Sequence, residues 1–158
     1  MRAVVTSSRA MDMDRAAALY ERAMFTNDPE ALEQADRELD AAEADMSLAR
    51  GRVMHVRYLW TRKEDPRELE LFTRAVELYR SLGDLRGEAE ALFWVGTAHQ
   101  VVYGDRETSL PYFERSYELA TRTNDKLTLS YAARHLGFIE QAAGRIDAAR
   151  ARFEESVR

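Results

Sequence analysis

The stretch Phe72-Thr73-Arg74-Ala75-Val76-Glu77-Leu78, closed by Gly83-Asp84, returns 41 residues later as Phe113-Glu114-Arg115-Ser116-Tyr117-Glu118-Leu119, closed by Asn124-Asp125. The register holds beyond it, because Ala91, Gly96 and Gln100 recur as Ala132, Gly137 and Gln141. A third copy starts in phase, with Gly104 and Phe113 matched by Gly144 and Phe153 at a spacing of 40. Self-similarity at a fixed period of this size is the mark of stacked supersecondary units, each burying its apolar face against the next.

Working outward, helix punctuation divides the chain into segments. Asn27-Asp28-Pro29 and Glu64-Asp65-Pro66 each set a capping Asp before a proline suited to a first helical turn. Gly83-Asp84, Gly104-Asp105 and Asn124-Asp125 combine a residue tolerant of left-handed backbone with a cap for the next helix. These signals predict helices over about 10–26, 29–45, 47–62, 66–82, 85–103, 106–123, 126–142 and 146–158. The eight segments make one domain over 1–158, in pairs of about 10–45, 47–82, 85–123 and 126–158. The expected fold is all-α, a right-handed α-solenoid of about four antiparallel helix pairs.

Apolar spacing agrees with helices. Leu71, Ala75, Leu78 and Leu82 form one stripe and Phe72, Val76 and Tyr79 an adjacent one, so this helix meets two neighbours. Gly96 and Gly137 fall mid-helix, where glycine costs about 1 kcal/mol relative to alanine. Their recurrence predicts a place where a side chain would collide with the partner helix. Phe72, Phe113 and Phe153 are the matching structural positions. The first quarter, with Ala16, Ala17 and Tyr20 before Leu32, Ala35, Leu39 and Ala42, reads as a divergent, capping repeat.

The segments Leu92-x2-Val95-Gly96-x2-His99 and Ala133-x2-Leu136-Gly137-x2-Glu140 resemble the first helix of a tetratricopeptide repeat. Ser109-x3-Phe113-x2-Ser116 and Ala149-x3-Phe153-x2-Ser156 resemble its second helix. The period of 40–41 exceeds the 34 of that family and is similar to the long repeats of kinesin light chains and of sensor regions in large bacterial transcription regulators. The resemblance implies right-handed stacking with the first helix of each pair lining a concave groove. Projected onto this sequence, that groove receives Arg52, Val56 and Leu59, then Phe93, Thr97 and Gln100, then Arg134, Phe138 and Gln141. Such a strip suits an extended peptide: Gln amides for its backbone, Arg for a carboxylate, Phe for an apolar anchor. The competing reading puts Phe93 and Phe138 in the core and the arginines in solvent.

Composition narrows the function classes. The net charge of −5 argues against a nucleic-acid-binding surface. No cysteine is present, so disulfides and thiolate metal sites are excluded. His55, His99 and His135 fall on three different predicted helices without ligand spacing, so no metal site and no cofactor are expected. No nucleophile motif, Gly-rich phosphate loop or catalytic carboxylate pair is visible, and no enzyme is predicted. Asp12 and Asp14 read as favourable charge near a helix N-terminus. The opening Met1–Ser8 has too short an apolar run for a signal peptide, and no run approaches membrane-spanning length, which predicts a cytoplasmic protein with no membrane partner.

Three further expectations concern association. Residues 28–45 carry eight acids against Arg37 alone, while Arg50 to Lys63 carries Arg50, Arg52, Arg57, Arg62 and Lys63 without an acid. Either these are docking patches of opposite sign or, the favoured reading, adjacent helices compensating one another. Tyr103, Tyr112, Tyr117, Tyr131, Trp60 and Trp94 read as inter-helix packing. The last helix, with Phe153 and Val157 on a second face, predicts a homodimer through the C-terminal pair, or more chain beyond it. The leading function is a scaffold binding a protein or peptide; the alternative is a ligand-sensing regulatory module.

Overall fold

The computed structural model describes residues 6–157, with side chains from residue 13 onward; the opening run Met1–Val5 lies outside the described residues. Among the described residues there are seven α-helices and no strand. They are α1 (Thr6–Thr26), α2 (Pro29–Thr61), α3 (Arg67–Leu82), α4 (Leu85–Thr97), α5 (Arg106–Thr123), α6 (Lys126–Ala142) and α7 (Ile146–Ser156). Each packs against its neighbours in sequence, and α4 also touches α6.

Most of the predicted starts and stops are built as the local chemistry dictates; α3 departs, since Pro66 rather than Asp65 stands at its N-cap and no side chain caps it. Asp28 caps α2 by accepting from the amides of Glu30 and Ala31, and Asp84 caps α4 through Arg86 and Gly87. Asp105 and Asp125 cap α5 and α6, each accepting from the amide of the Thr three residues on. Asn124 takes the left-handed conformation (φ 52°) that ends α5, and Gly83 does so at φ 72° after α3.

Two expectations are corrected. The segments 29–45 and 47–62 are not separate helices: α2 runs unbroken for 33 residues. No proline, glycine or cap interrupts Ala44-Asp45-Met46-Ser47-Leu48, and Ala44, Ser47 and Leu48 are buried. Asp45 is held within the helix, accepting from the Tyr79 hydroxyl at 2.7 Å. The acidic and basic segments are therefore two halves of one helix and cannot lie side by side. Their compensation comes from elsewhere: Arg15 pairs with Glu38, Arg74 with Glu43 and Glu90 with Arg52. Secondly, α1 begins at Thr6, four residues before the predicted start, so Asp12 and Asp14 are not in its first turn.

The glycine expectation has a geometric answer. A Cβ built on Gly96 would lie 2.9 Å from Phe113 Cε1, and one on Gly137 would lie 2.7 Å from Phe153 Cε1. Gly51 repeats the arrangement, with Phe72 Cε1 at 2.5 Å. All three distances fall well inside the roughly 3.5–4.0 Å at which carbon atoms attract. One helix of each pair thus drops its side chain so that a phenylalanine of the other can lie flat on its backbone. The unit occurs three times, in α2–α3, α4–α5 and α6–α7, and gives the molecule its repeat-like character.

The core follows this chain of contacts. Phe72, Ala75, Leu78, Tyr79, Ala89, Leu92, Val95 and Leu119 form one continuous buried cluster across α3, α4 and α5. Phe93, Phe113, Leu136 and Ile139 form a second, and Leu19, Ala23, Ala31 and Ala35 a small one between α1 and α2. A buried pair, His55 and Glu68, joins α2 to α3 at 2.8 Å. Trp60 is exposed, contrary to its expected packing role, whereas Trp94 stacks on Phe72 with ring centroids 5.6 Å apart.

Candidate functional site

The end of α4 is irregular. After Thr97 the helix widens into a π turn, Ala98–Val102, before Asp105 caps α5. Such a turn disturbs the regular ladder and is frequent at functional positions. The Val101 carbonyl finds a partner in the Tyr58 hydroxyl of α2, at 3.2 Å. The turn carries His99, which stacks on Tyr112 at 5.5 Å, and Gln100, which faces α6.

Gln100 meets His135 across this gap, its Oε1 2.6 Å from the ring Nδ1. The imidazole lies among Phe93, Phe113 and Phe138, with centroids 5.2, 5.0 and 5.9 Å away. Burial in this apolar cage, helped by the nearby positive charge of Arg134, holds its pKa down at about 4. His135 is therefore neutral near pH 7 and donates its Nδ1 hydrogen to the amide oxygen of Gln100. The amide nitrogen of Gln100 is left buried with no hydrogen-bond partner among the described residues.

Gln100 also lines a shallow recess of about 350 Å³ with Arg106, Phe138, Gln141 and Ala142. Phe138 is 44% exposed although it touches Phe153 edge-on at 5.2 Å. Arg106, at the start of α5, makes no ion pair among the described residues. The recess thus offers one apolar ring, a free guanidinium and the amide of Gln141. It holds no ensemble of acid, base and nucleophile for bond-making chemistry, and the described residues hold no cluster of three metal-ligating side chains.

Of the residues projected onto the binding strip, Gln100, Phe138 and Gln141 come together here. Arg134 is exposed one turn earlier on α6, its guanidinium 5.2 Å from the Tyr131 ring centroid. Arg52 stands apart, bound to Glu90 at 3.0 Å and lying over Trp94 at 5.7 Å. Phe93 and Thr97 are corrected: both are buried. Helix α6 packs across α4, placing Tyr131 5.6 Å from Phe93, and the Thr97 hydroxyl donates back to the Phe93 carbonyl.

The repeat register explains the difference. Arg134 and Phe138 stand where Phe93 and Thr97 stand one unit earlier, and no further described helix covers that side of α6. Arg106 was not foreseen, since its repeat counterparts, Asp65 and Ile146, share none of its chemistry. Larger recesses, of about 490 and 550 Å³, lie along α2 beside Val53, Arg57 and Trp60, away from this site. Phe153, expected to need a neighbour, packs on Gly137 within its own pair, while Val157 is exposed.

The chain matches no family model, no curated protein and no solved structure. No described helix is long and apolar enough to cross a membrane.

Proposed function

We propose that this chain is a non-catalytic scaffold of tetratricopeptide type that binds a peptide or protein segment of a partner. In this reading its helix pairs stack in a right-handed solenoid, with α4 and α6 lining the concave side. The thrice-repeated seat of phenylalanine on glycine supports it, because each unit makes the same internal contact and leaves a face for the next.

The observation that carries the functional reading is the recess. Phe138, partly exposed beside Gln141 and an unpaired Arg106, sits on the face that, one unit earlier, receives another helix. A partner bringing an apolar side chain to Phe138 and a carboxylate to Arg106 would find complementary chemistry there. Binding energy at such surfaces concentrates in a few aromatic and arginine contacts.

Selection from a random peptide library, followed by titration calorimetry, tests the proposal. Phe138→Ala and Arg106→Glu are each expected to weaken the selected peptide at least tenfold while leaving the helical circular dichroism unchanged. Failure to select any peptide, or native affinity in both variants, refutes it. A second reading, a small-molecule sensor, draws on the π turn and the unsatisfied Gln100 amide. A stabilising thermal shift with a metabolite collection, abolished by Gln100→Ala, would favour that reading over the first.

A further inference from the structure

Helix α2 carries an apolar residue at every seventh position through almost its whole length: Leu32, Leu39, Met46, Val53 and Trp60. All five are exposed, at 51, 43, 64, 55 and 82%. The other sides of the helix are taken. Ala31 and Ala35 are buried with Leu19 and Ala23 of α1, while Leu48, Gly51 and His55 are buried against α3. The strip spans 28 residue steps, about 42 Å of helix. A strict seven-residue repeat drifts by about 20° per heptad on a straight helix, a drift that two helices take up by winding gently round one another.

Charge selects the partner. Between the apolar positions, at the matching seven-residue interval, stand Asp36, Glu43, Arg50 and Arg57: two acids, then two bases. Asp36, Arg50 and Arg57 make no ion pair among the described residues, and Glu43 is shared with Arg74 of α3. A second α2 laid antiparallel about an axis at Met46 sets Leu32 against Trp60 and Leu39 against Val53. The same operation brings Asp36 within one residue step, about 1.5 Å along the helix, of the level of Arg57, and Glu43 within one step of Arg50, twice over by symmetry. Parallel pairing in register would instead lay the acidic half of one helix along the acidic half of the other, and basic along basic. A single surface complementary to itself under two-fold rotation is the requirement for a closed dimer.

We propose that two copies of this chain associate through α2, antiparallel, with Met46 at the two-fold axis. The interface is distinct from the recess between α4, α5 and α6, and from the C-terminal pair to which the sequence pointed. It leaves both recesses of a dimer open, so a partner with two binding segments would be held by both copies.

The chain has no native cysteine, which makes crosslinking clean. In the full chain, Met46→Cys is expected to give a covalent dimer with a short bis-maleimide. Val53→Cys is not, since antiparallel copies hold position 53 about 21 Å from its counterpart along the axis. An equimolar mixture of Val53→Cys and Leu39→Cys should crosslink between the two variants. Light scattering should report a dimer for the native chain and at least a tenfold weaker one for Arg50→Glu/Arg57→Glu, whose four flanking charges would then all be acidic. Mixing that variant with Asp36→Arg/Glu43→Arg should restore a dimer. A native chain that stays monomeric at high micromolar concentration overturns the proposal and leaves the strip to an unrelated helix. So does Val53→Cys crosslinking as readily as Met46→Cys, or an undiminished dimer in Arg50→Glu/Arg57→Glu with native circular dichroism.

Discussion

Replacing Gly96 by alanine sets two opposed effects against each other at a site where the geometry decides the sign. In an unencumbered helix the change should stabilise by about 1 kcal/mol, because alanine is the better helix former. Here the new methyl would fall 2.9 Å from Cε1 and 3.0 Å from Cδ1 of Phe113, some 0.6 to 1 Å inside ordinary contact between carbon atoms. The ring has nowhere to go. Phe113 is completely buried, with Phe93 at 5.9 Å and His135 at 5.0 Å from its centroid. Overpacking of this kind costs about 1–3 kcal/mol, so the expected net effect is a loss of roughly 1 kcal/mol. Urea denaturation followed by circular dichroism at 222 nm reads it directly. Gly51→Ala should lose more, since its methyl would sit 2.5 Å from the fully buried Phe72. Gly137→Ala should lose less, since Phe153 is half-buried on the final helix and can retreat. Adding Phe113→Leu to Gly96→Ala should give a double variant at least about 0.5 kcal/mol more stable than the sum of the two single losses, the lower bound for contacting residues. A Gly96→Ala protein as stable as the native one, or strict additivity in that cycle, would refute the account of why glycine recurs.

Two further predictions concern buried ionisable groups. The His135 pKa is held at about 4 in the fold, whereas the unfolded chain takes up that proton near 6.5. Native stability is therefore whole above pH 6.5 and falls as the pH drops towards 4, by up to roughly 3 kcal/mol. The urea midpoint between pH 7 and 4.5 checks this: His135→Gln should make that slope shallower, with His99, whose pKa burial also lowers, keeping part of it, and an unchanged slope would show the cage to be irrelevant. His55→Leu should cost about 3–5 kcal/mol by stranding the buried Glu68 carboxylate. Adding Glu68→Leu should recover most of that loss in thermal denaturation, whereas a double variant no better than the single one would count against a charge-based cause.

What could be read from sequence was local chemistry and whatever the repeat copies twice. The caps Asp84, Asp105 and Asp125 announce themselves because the bonds they make span three residues. Gly96 and Gly137 were legible because they share a register. Gly51, which does the same job, was not, since it precedes Gly96 by 45 residues and falls out of phase. The break expected near residue 46 is absent because Ala44-Asp45-Met46-Ser47-Leu48 holds no residue that would end a helix. Gln100, Phe138 and Gln141 could be placed on one site by repeat register alone. Phe93 and Thr97 could not be separated from them, because register assigns a helix face but not whether another helix arrives to cover it. Arg106 joins the recess from the first turn of α5, and Gln100 from a widened turn for which Ala98-His99-Gln100-Val101-Val102 carries no glycine or proline as a signal.

The unbroken α2 sets this helical, repeat-like fold apart from a row of separate hairpins. Elsewhere, successive helices are joined through residues of positive φ, such as Gly83, Asn124 and Gly144, so that each junction is a short turn whose dihedrals set the angle. Between the first and second units there is no junction. The helix that closes the first unit is the same rigid rod that opens the second, and α1 and α3 occupy different stretches of it. A set of short hairpins interrupts its outward faces every four or five turns. Helix α2 presents a single face about nine turns long. A break between 45 and 47 would have cut that face at Met46, separating its acidic half from its basic half. Its absence is what allows Leu32 through Trp60 to act as one seam, and it ties the proposed pairing to the same residues, Ala44 to Leu48, whose burial keeps the helix whole.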